Sequence, residues 1–243
     1  MTISIALPTL KLSESDAESV GRLRGTLLKV RVRNALKSDL YESKRNAEDL
    51  GIAIPTGMDH LINAVIGWPG TVVDVLEERL DFQGWTGADD LNLGDVYNDN
   101  QLAVESGRGH LDSLIYGCGF QTVGRGDATV GEPEILVSVE STESCTVDWD
   151  YRLRRAKSGL SQTRDAHGVV QLETLYLPNE TIRFERVRGE LVVVDRDQHN
   201  LGRVPVVRTL NRDRASDVNG RSEITRAVEY YTYAALRTLT GLE

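Results

Sequence analysis

The chain has 243 residues, of which 40% are hydrophobic and 27% are charged, and its formal net charge is −9. This is the composition of an ordinary soluble protein, and the acidic balance argues against binding nucleic acid over the whole surface. The two cysteines, Cys118 and Cys145, are too few for a disulfide framework. Met1–Leu12 lacks the basic start of a signal peptide, and no apolar run approaches the ~20 residues that a membrane helix needs. We therefore expect a protein of the cytoplasm or of a virion, without a membrane partner.

The N-terminal part of the sequence favours helices. Ser15–Glu18 fits a capping box, and apolar residues then recur at helical spacing, at Val20, Leu23, Leu27 and Val30. A second helix ending near Gly51 is indicated by Leu36, Leu40, Ala47 and Leu50. Helical structure is therefore expected over roughly 15–48, followed by a turn at Ile52–Gly57 and a short helix at Asp59–Ile66.

The first helix is locally basic. Between Glu18 and Asp39 it carries no acid, and its basic residues are Arg22, Arg24, Lys29, Arg31, Arg33 and Lys37. Such a run is explained either by a solvated helix face or by contact with an acidic neighbour.

The segment 74–105 has the opposite charge. Arg79 is its one basic residue, and its acids are Asp74, Glu77, Glu78, Asp81, Asp89, Asp90, Asp95, Asp99 and Glu105. At the start of this region, Trp68–Gly70 predicts a break and the β-branched run Thr71–Val75 predicts a strand. Phe82–Trp85 is expected to be a strand end or a turn. A helix should then begin at Asn98 or Asp99 and end near Tyr116, before Gly117.

From Phe120 onward the sequence favours β-structure. Short segments separated by glycine, aspartate and asparagine predict antiparallel hairpins, at Phe120–Val123, Glu134–Glu140, Cys145–Asp148, Tyr151–Lys157, Val169–Tyr176, Thr181–Arg186 and Leu191–Val194. Leu201–Val207 predicts an edge strand, because Pro205 cannot donate to a ladder. Ser222 is expected to cap a long last helix, Ser222–Thr240. Helices followed by strands and then by a helix predict an α+β fold with a mainly antiparallel β region.

No residue pattern predicts a catalytic or cofactor site. The histidines are scattered without metal-binding spacing, at His60, His110, His167 and His199. The glycines of 117–126 do not match a phosphate-binding loop. The acidic turns Asp148–Asp150 and Asp195–Asp197 either hold a hard cation or are plain β-turns, which explain them better. We therefore predict that the protein is not an enzyme and needs no metal, nucleotide or other cofactor.

A second basic cluster falls within the predicted β region. It consists of Arg152, Arg154, Arg155, Lys157 and Arg164. It is either a solvated sheet face or a contact with a subunit or a phosphate.

A series of short motifs runs in order through most of the chain. They are Leu40–Lys44, Leu50–Gly51, Ile54–Pro55, Gly67–Trp68, Val72–Asp74, Glu78–Leu80, Gly84–Trp85, Asn100–Leu102, His110–Gly117, Leu175–Pro178, Leu201–Val207, Gly220–Ile224 and Arg237–Leu239. Each motif is weak alone, but their shared order resembles the portal proteins of tailed bacteriophages, in particular of long-tailed phages of actinobacteria.

The resemblance implies a structural subunit of a ring, usually of twelve copies, at one vertex of a capsid. Portal rings form the channel for DNA packaging and ejection and the head–tail junction, while the ATPase is the separate terminase. The implied partners are further copies of the chain, the major capsid protein, the scaffold, the terminase and the head–tail adaptor. Double-stranded DNA would pass without sequence specificity, and the implied location is the virion, after assembly in the host cytoplasm.

Portal subunits are longer than this chain, so the resemblance implies an N-terminal portion that contains the wing. Residues 1–119 are expected to form the helical part of the wing, and 120–210 its β-rich part. Residues 211–243 would be a loop and a helix leading towards the stem. The clip, the remaining stem and the crown are expected to be absent.

Oppositely charged surfaces of one subunit can meet between neighbours in a ring. The predicted contact residues are Arg22, Arg24, Arg31 and Arg33 on the basic side and Glu77, Glu78 and Asp81 on the acidic side. We assign no DNA-contacting residue. The alternatives are another capsid or tail structural protein and a small cytosolic hydrolase.

Overall fold

The computed structural model describes residues 12–44, 65–87, 89–212 and 219–240. The chain divides into two units. Unit 1 comprises residues 1–31 and 120–208, and unit 2 comprises residues 32–119 and 209–243. Helix α1 (Glu14–Tyr41) contributes residues to both. Helices and antiparallel strands together confirm the predicted α+β class.

Unit 1 is built on β-sheets. The larger sheet has five strands in chain order, namely β3 (Cys145–Asp150), β4 (Arg155–Arg164), β5 (Val170–Tyr176), β6 (Thr181–Val187) and β7 (Glu190–Asp197). Each neighbouring pair in it is antiparallel, as predicted. A three-stranded sheet has the order β2-β1-β8, with strands β1 (Cys118–Arg125), β2 (Ile135–Glu140) and β8 (Val206–Leu210).

The first half of α1 packs on the five-stranded sheet. Val20 and Leu23, 4% and 1% exposed, share a core with buried side chains of β4, β5, β6 and β7: Leu160, Leu175, Ile182, Phe184 and Val193. The predicted apolar helix face is therefore confirmed at these positions. The predicted capping box is displaced, because Ser13 Oγ accepts from Asp16 N at 3.2 Å and α1 already begins at Glu14.

Unit 2 is helical. It contains the end of α1 together with α2 (Trp68–Glu77), α3 (Leu93–Asp99), α4 (Leu102–Tyr116) and α5 (Arg226–Thr240). Its core consists of Leu40, Val73, Leu114, Ile115 and Ile224. Among the residues that the structure describes, no helix combines the length and the apolar character needed to cross a bilayer.

The strand predicted at Thr71–Val75 is wrong, since these residues lie in α2. Pro69 stands in the first turn of that helix, where proline is well tolerated. Val73 is fully buried and belongs to the unit 2 core. Tertiary packing of one helical face thus overrides the β preference of the valines.

The strand predicted at Tyr151–Lys157 is wrong at its start. Asp150 Oδ1 accepts from the backbone N of Arg152 and of Leu153, both at 2.9 Å, and this closes a turn over 151–154. β4 begins only at Arg155 and continues to Arg164. Most of this strand therefore lies outside the range predicted from the sequence.

Other bounds shift as well. The helix expected from Asn98 is interrupted at Gln101, whose φ is +51°, so that α3 ends at Asp99 and α4 begins at Leu102. Gly117 closes α4 with φ +93°, as predicted. Ser222 does not start a helix, because α5 begins at Arg226.

The remaining differences concern an edge strand and a second helix. β8 lies at the edge of its sheet, as predicted, but starts after Pro205, at Val206. Leu36 and Leu40 lie in α1 and not in a second helix. Ala47, Leu50, Gly51, His60 and the segments Ile52–Gly57 and Asp59–Ala64 lie outside the described residues, and Ile66 is not helical.

Candidate functional site

A hydrogen-bond network joins the end of β8 to the residues before α5. Asn211 N donates to Gly117 O at 3.0 Å, and Arg221 N donates to Asn211 O at 2.8 Å. The amide nitrogen of the Asn211 side chain donates to Arg221 O at 2.7 Å and to Glu223 Oε1 at 2.9 Å. Glu223 N donates to Leu114 O at 2.8 Å. The Asn211 network thus satisfies carbonyls at the C-terminus of α4 that the helix itself leaves without a donor.

The start of α5 is fixed by buried polar contacts in unit 2. Glu223, 6% exposed, accepts from the guanidinium of Arg212, and Lys37 Nζ donates to Ile224 O. Burial lowers the pKa of Lys37, with the charge of Glu229 opposing this effect. Thr225 Oγ1 accepts from Val228 N at 3.4 Å and takes the capping role that was predicted for Ser222.

A buried carboxylate holds α1 against the five-stranded sheet. Glu173 on β5 is 0% exposed and accepts from Arg24 Nε through both carboxylate oxygens, at 3.0 and 3.1 Å. Gln162 Nε2 on β4 also donates to it, at 2.6 Å. Burial of a charge is tolerated only when it is paired and hydrogen-bonded, and Glu173 meets both conditions.

The predicted basic contact residues have partners within unit 1. Arg22 Nη2 lies 3.1 Å from Asp148 Oδ2, and Arg31 Nε lies 3.6 Å from Glu143 Oε2. Arg24 binds Glu173, so three of the four predicted basic residues contribute to the packing of α1. Arg22, Arg24 and Arg31 lie in unit 1, whereas Glu77, Glu78 and Asp81 lie in unit 2. Their role between subunits stays a prediction, as does that of the exposed Arg33.

The acidic segment of unit 2 carries an exposed aromatic cluster that the sequence analysis missed. The ring centroids of Phe82 and Trp85 are 4.9 Å apart, and those of Phe82 and Tyr97 are 4.7 Å apart. Phe82 is 40% exposed and Trp85 is 50% exposed. We call these three rings the aromatic patch. Three aromatic residues within 82–97, in a chain that is only 6% aromatic, were the signal that indicated it.

The acidic tripeptides considered as cation sites or β-turns both lie in strands, Asp148–Asp150 in β3 and Asp195–Asp197 in β7, so the β-turn prediction is wrong. Asp148 pairs with Arg22, and Asp150 closes the turn at 151–154. In 12–44, 65–87, 89–212 and 219–240, no group of three or more His, Cys, Asp or Glu side chains is arranged to hold a metal ion. Cys118 and Cys145 are buried thiols that do not form a disulfide.

A polar cleft of about 300 Å³ lies in unit 1 between residues of its two sheets. Asp195 and Asp197 line it, together with Thr122, Ser161 and Glu140. Burial raises the pKa of Glu140, and the hydrogen bond that Ser144 Oγ donates to Glu140 Oε2 at 2.8 Å opposes this effect in part. The cleft is lined by hydroxyls and carboxylates, and Ser161 Oγ lies 3.3 Å from the hydroxyl oxygen of Tyr176 within it.

Comparisons with known proteins agree with the order of the motifs. A sequence profile described as "Phage portal protein, SPP1 Gp6-like" matches residues 39–229. A portal protein of Mycobacterium phage D29 is 35% identical over 208 residues, which is 82% of this chain and 43% of the relative. A portal protein of Mycobacterium phage L5 is 32% identical over 214 residues, 84% of this chain and 44% of the relative. The chain thus spans less than half the length of these curated relatives, and it belongs to the phage portal protein family.

Proposed function

We propose that the chain is a structural subunit of a portal ring at one vertex of a phage capsid. The observation that carries this proposal is its identity of 35% and 32% to two portal proteins over more than four fifths of its length. The ring, usually of twelve copies, surrounds a channel through which double-stranded DNA is packaged and ejected. Its further partners are the major capsid protein, the scaffold, the terminase and the head–tail adaptor. Its place is the virion, after assembly in the host cytoplasm.

The charge of the chain supports this role. A channel that lets DNA slide must not neutralise many phosphates, because each neutralised phosphate adds salt-dependent affinity. The net charge of −9 meets that requirement. The proposed role is geometric and involves no catalytic step.

Three consecutive segments of the chain, which differ in their bounds from the two units, are assigned parts of a portal wing in this proposal. Residues 1–119 and 120–210 would form its helical and β-rich parts, and 211–243 would lead towards the stem. The Asn211 network supports this assignment, because it ties the residues before α5 to the end of α4. The orientation of α5 within unit 2 is thereby fixed, as a helix that leads towards a stem requires.

Negative-stain electron microscopy of the purified chain tests ring formation. We expect closed rings with an axial hole and one rotational symmetry in class averages. A chain that stays monomeric at every concentration and salt, or that forms only open filaments, would contradict the proposal.

A further inference from the structure

We infer that neighbouring copies of this chain contact each other through the tip of the β3–β4 hairpin of one copy and the aromatic patch of the next. This inference rests on the proposed ring and names surfaces that the ring would use. The hairpin tip is defined here as residues 151–157, which include the turn and the first residues of β4.

The hairpin tip is basic and apolar at once. Residues 151–157 contain four basic residues and no acid: Arg152, Arg154, Arg155 and Lys157. Tyr151 and Leu153 are 63% and 55% exposed. Arginine and tyrosine are enriched in interface hot spots, since both supply large contact areas together with a polar group.

The backbone of the hairpin tip is held in place before any partner binds. Asp150 Oδ1 accepts two backbone hydrogen bonds from the turn, and Arg154 adopts a left-handed conformation with φ +50°. Lys157 Nζ lies 4.0 Å from Asp150 Oδ2. A turn that is already ordered loses less conformational entropy on binding.

The aromatic patch is complementary to this tip in charge and in chemistry. Phe82 and Trp85 expose their rings, and Leu80 and Leu91, which lie near them in sequence, are 48% and 66% exposed. Exposed acids flank the rings in sequence, namely Glu78, Asp81, Asp95 and Asp99. A guanidinium over an aromatic face gains a cation–π attraction, and neighbouring carboxylates add to it.

The two surfaces belong to different units of one chain, hairpin tip in unit 1 and aromatic patch in unit 2. Two different patches on one subunit make a heterologous contact, which is the kind that generates closed rings. A second copy of the chain is therefore the occupant that explains both surfaces. DNA phosphates would bind the arginines of the hairpin tip. DNA would not cover the aromatic patch, because acidic side chains flank those rings.

The experiment compares the 243-residue chain with two variants by sedimentation velocity and mass photometry. The hairpin variant carries Arg152→Glu and Arg154→Glu, and the patch variant carries Phe82→Ser and Trp85→Ser. All four side chains lie at exposed or ring-cluster positions of the surface. Circular dichroism and thermal melting confirm that both variants are folded.

Each variant alone should associate at least about tenfold more weakly than the wild type. The reason is that repulsion between like charges, or the loss of an aromatic anchor, weakens every contact of the ring. An equimolar mixture of the two variants should give dimers that do not grow. In it, the intact hairpin of the patch variant docks on the intact patch of the hairpin variant, and the two altered surfaces cap the ends.

Two control variants carry the same kinds of substitution, arginine to glutamate and apolar residue to serine, at other exposed positions of unit 1. Arg188→Glu with Arg203→Glu repeats the charge change at exposed positions. Val130→Ser with Leu201→Ser removes side chains that are 72% and 57% exposed. Both controls should associate like the wild type.

The outcomes separate this inference from the proposed function. Rings of unchanged size from the hairpin variant or the patch variant would overturn the contact and leave ring assembly standing. A mixture that stays monomeric would also overturn it. If the hairpin variant loses affinity for labelled duplex DNA while its self-association is unchanged, the tip is a nucleic-acid contact and the inference is wrong. A wild-type chain that never associates would contradict both the contact and the ring.

Discussion

The α-carbon of Gly220 lies against the carbonyl of Gly117, so closely that a β-carbon on Gly220 would stand 1.9 Å from Gly117 O. Both glycines have positive φ, +70° and +93°. Asn211 N donates to the same Gly117 carbonyl at 3.0 Å. The segment before α5 therefore crosses the end of α4 at a distance that only glycine permits, and the Asn211 network depends on this crossing.

Gly220→Ala should strongly destabilise the chain, because the β-carbon collides with backbone that the Asn211 network holds in place. Gly202→Ala is the matched control, since Gly202 has a similar φ of +66° but open space around its missing β-carbon. We expect a loss of about 1–2 kcal/mol for the control, the cost of a left-handed alanine, and of more than about 3 kcal/mol for Gly220→Ala. Denaturant unfolding measures both, and equal losses would show that the crossing is not tight.

The pair Arg24–Glu173 should show strong coupling in a double-mutant cycle. Arg24→Met leaves Glu173 as a buried carboxylate without its ion-pair partner. The expected loss is on the order of 2–4 kcal/mol, lower than for a wholly buried pair because Arg24 is partly solvated. The double variant Arg24→Met, Glu173→Met should recover much of this loss. Urea unfolding of the wild type, the two single variants and the double variant measures this coupling. Single effects that add up in the double variant would refute it.

The half-buried carboxylate of Glu140 predicts a pH-dependent stability. Burial raises its pKa in the folded state above the usual value of 4.5, so the folded state holds the proton more tightly than the unfolded chain. Its contribution to the free energy of unfolding is thus largest below that value and is lost as pH rises through the folded pKa.

Glu140→Gln should therefore raise the melting temperature at neutral pH, and the gain should vanish in acid. The variant keeps an oxygen that accepts from Ser144 Oγ. Exposed Glu190→Gln controls for the removal of one negative charge from an acidic chain. An equal gain from Glu190→Gln at neutral pH would assign the effect to net charge, and a Glu140→Gln gain that is the same at every pH would contradict any assignment to the ionised carboxylate.

The hydrogen bond between Tyr41 and Asp74 leads us to predict that stability also depends on pH in the alkaline range. Burial raises the pKa of Tyr41 to about 12, and the bond from its hydroxyl to Asp74 Oδ1 at 2.9 Å adds to this. Because the folded pKa exceeds that of the unfolded chain, this contribution to stability is present below pH 10 and is lost as pH approaches 12. Asp74→Asn should lower the pKa of Tyr41, which an alkaline titration followed by ultraviolet absorbance measures. An unchanged titration curve would contradict the assignment.

Much of the β region was predictable from the sequence because its strands are short and turn residues separate them. β5 and β6 follow the expected ranges within one residue, at Val170–Tyr176 and Thr181–Val187. β4 was missed because it is a central strand buried on both faces. Its interior is Ser158, Gly159, Leu160, Ser161 and Gln162, and all five are buried, so neither alternation nor an apolar run marks it.

The helical part was less predictable, because tertiary contacts decide it. Val73 lies in a helix since one face of α2 packs against α4 and α5, although its neighbours favour a strand. The buried Glu173 gave no local signal, because its partner Arg24 lies 149 residues away in sequence. The sequence shows that Phe82, Trp85 and Tyr97 lie close together along the chain. Only the fold reveals that their rings contact each other and are exposed, as the aromatic patch requires.

Immunogold labelling of assembled particles shows directly whether the chain lies at a portal vertex. Gold-labelled antibody against this chain, applied to purified heads that have lost their tails, is imaged by electron microscopy. We expect one label site per head, at the single vertex where the tail attaches. Labels spread over the capsid shell, or found only on detached tails, would contradict a portal and favour another structural protein of the virion.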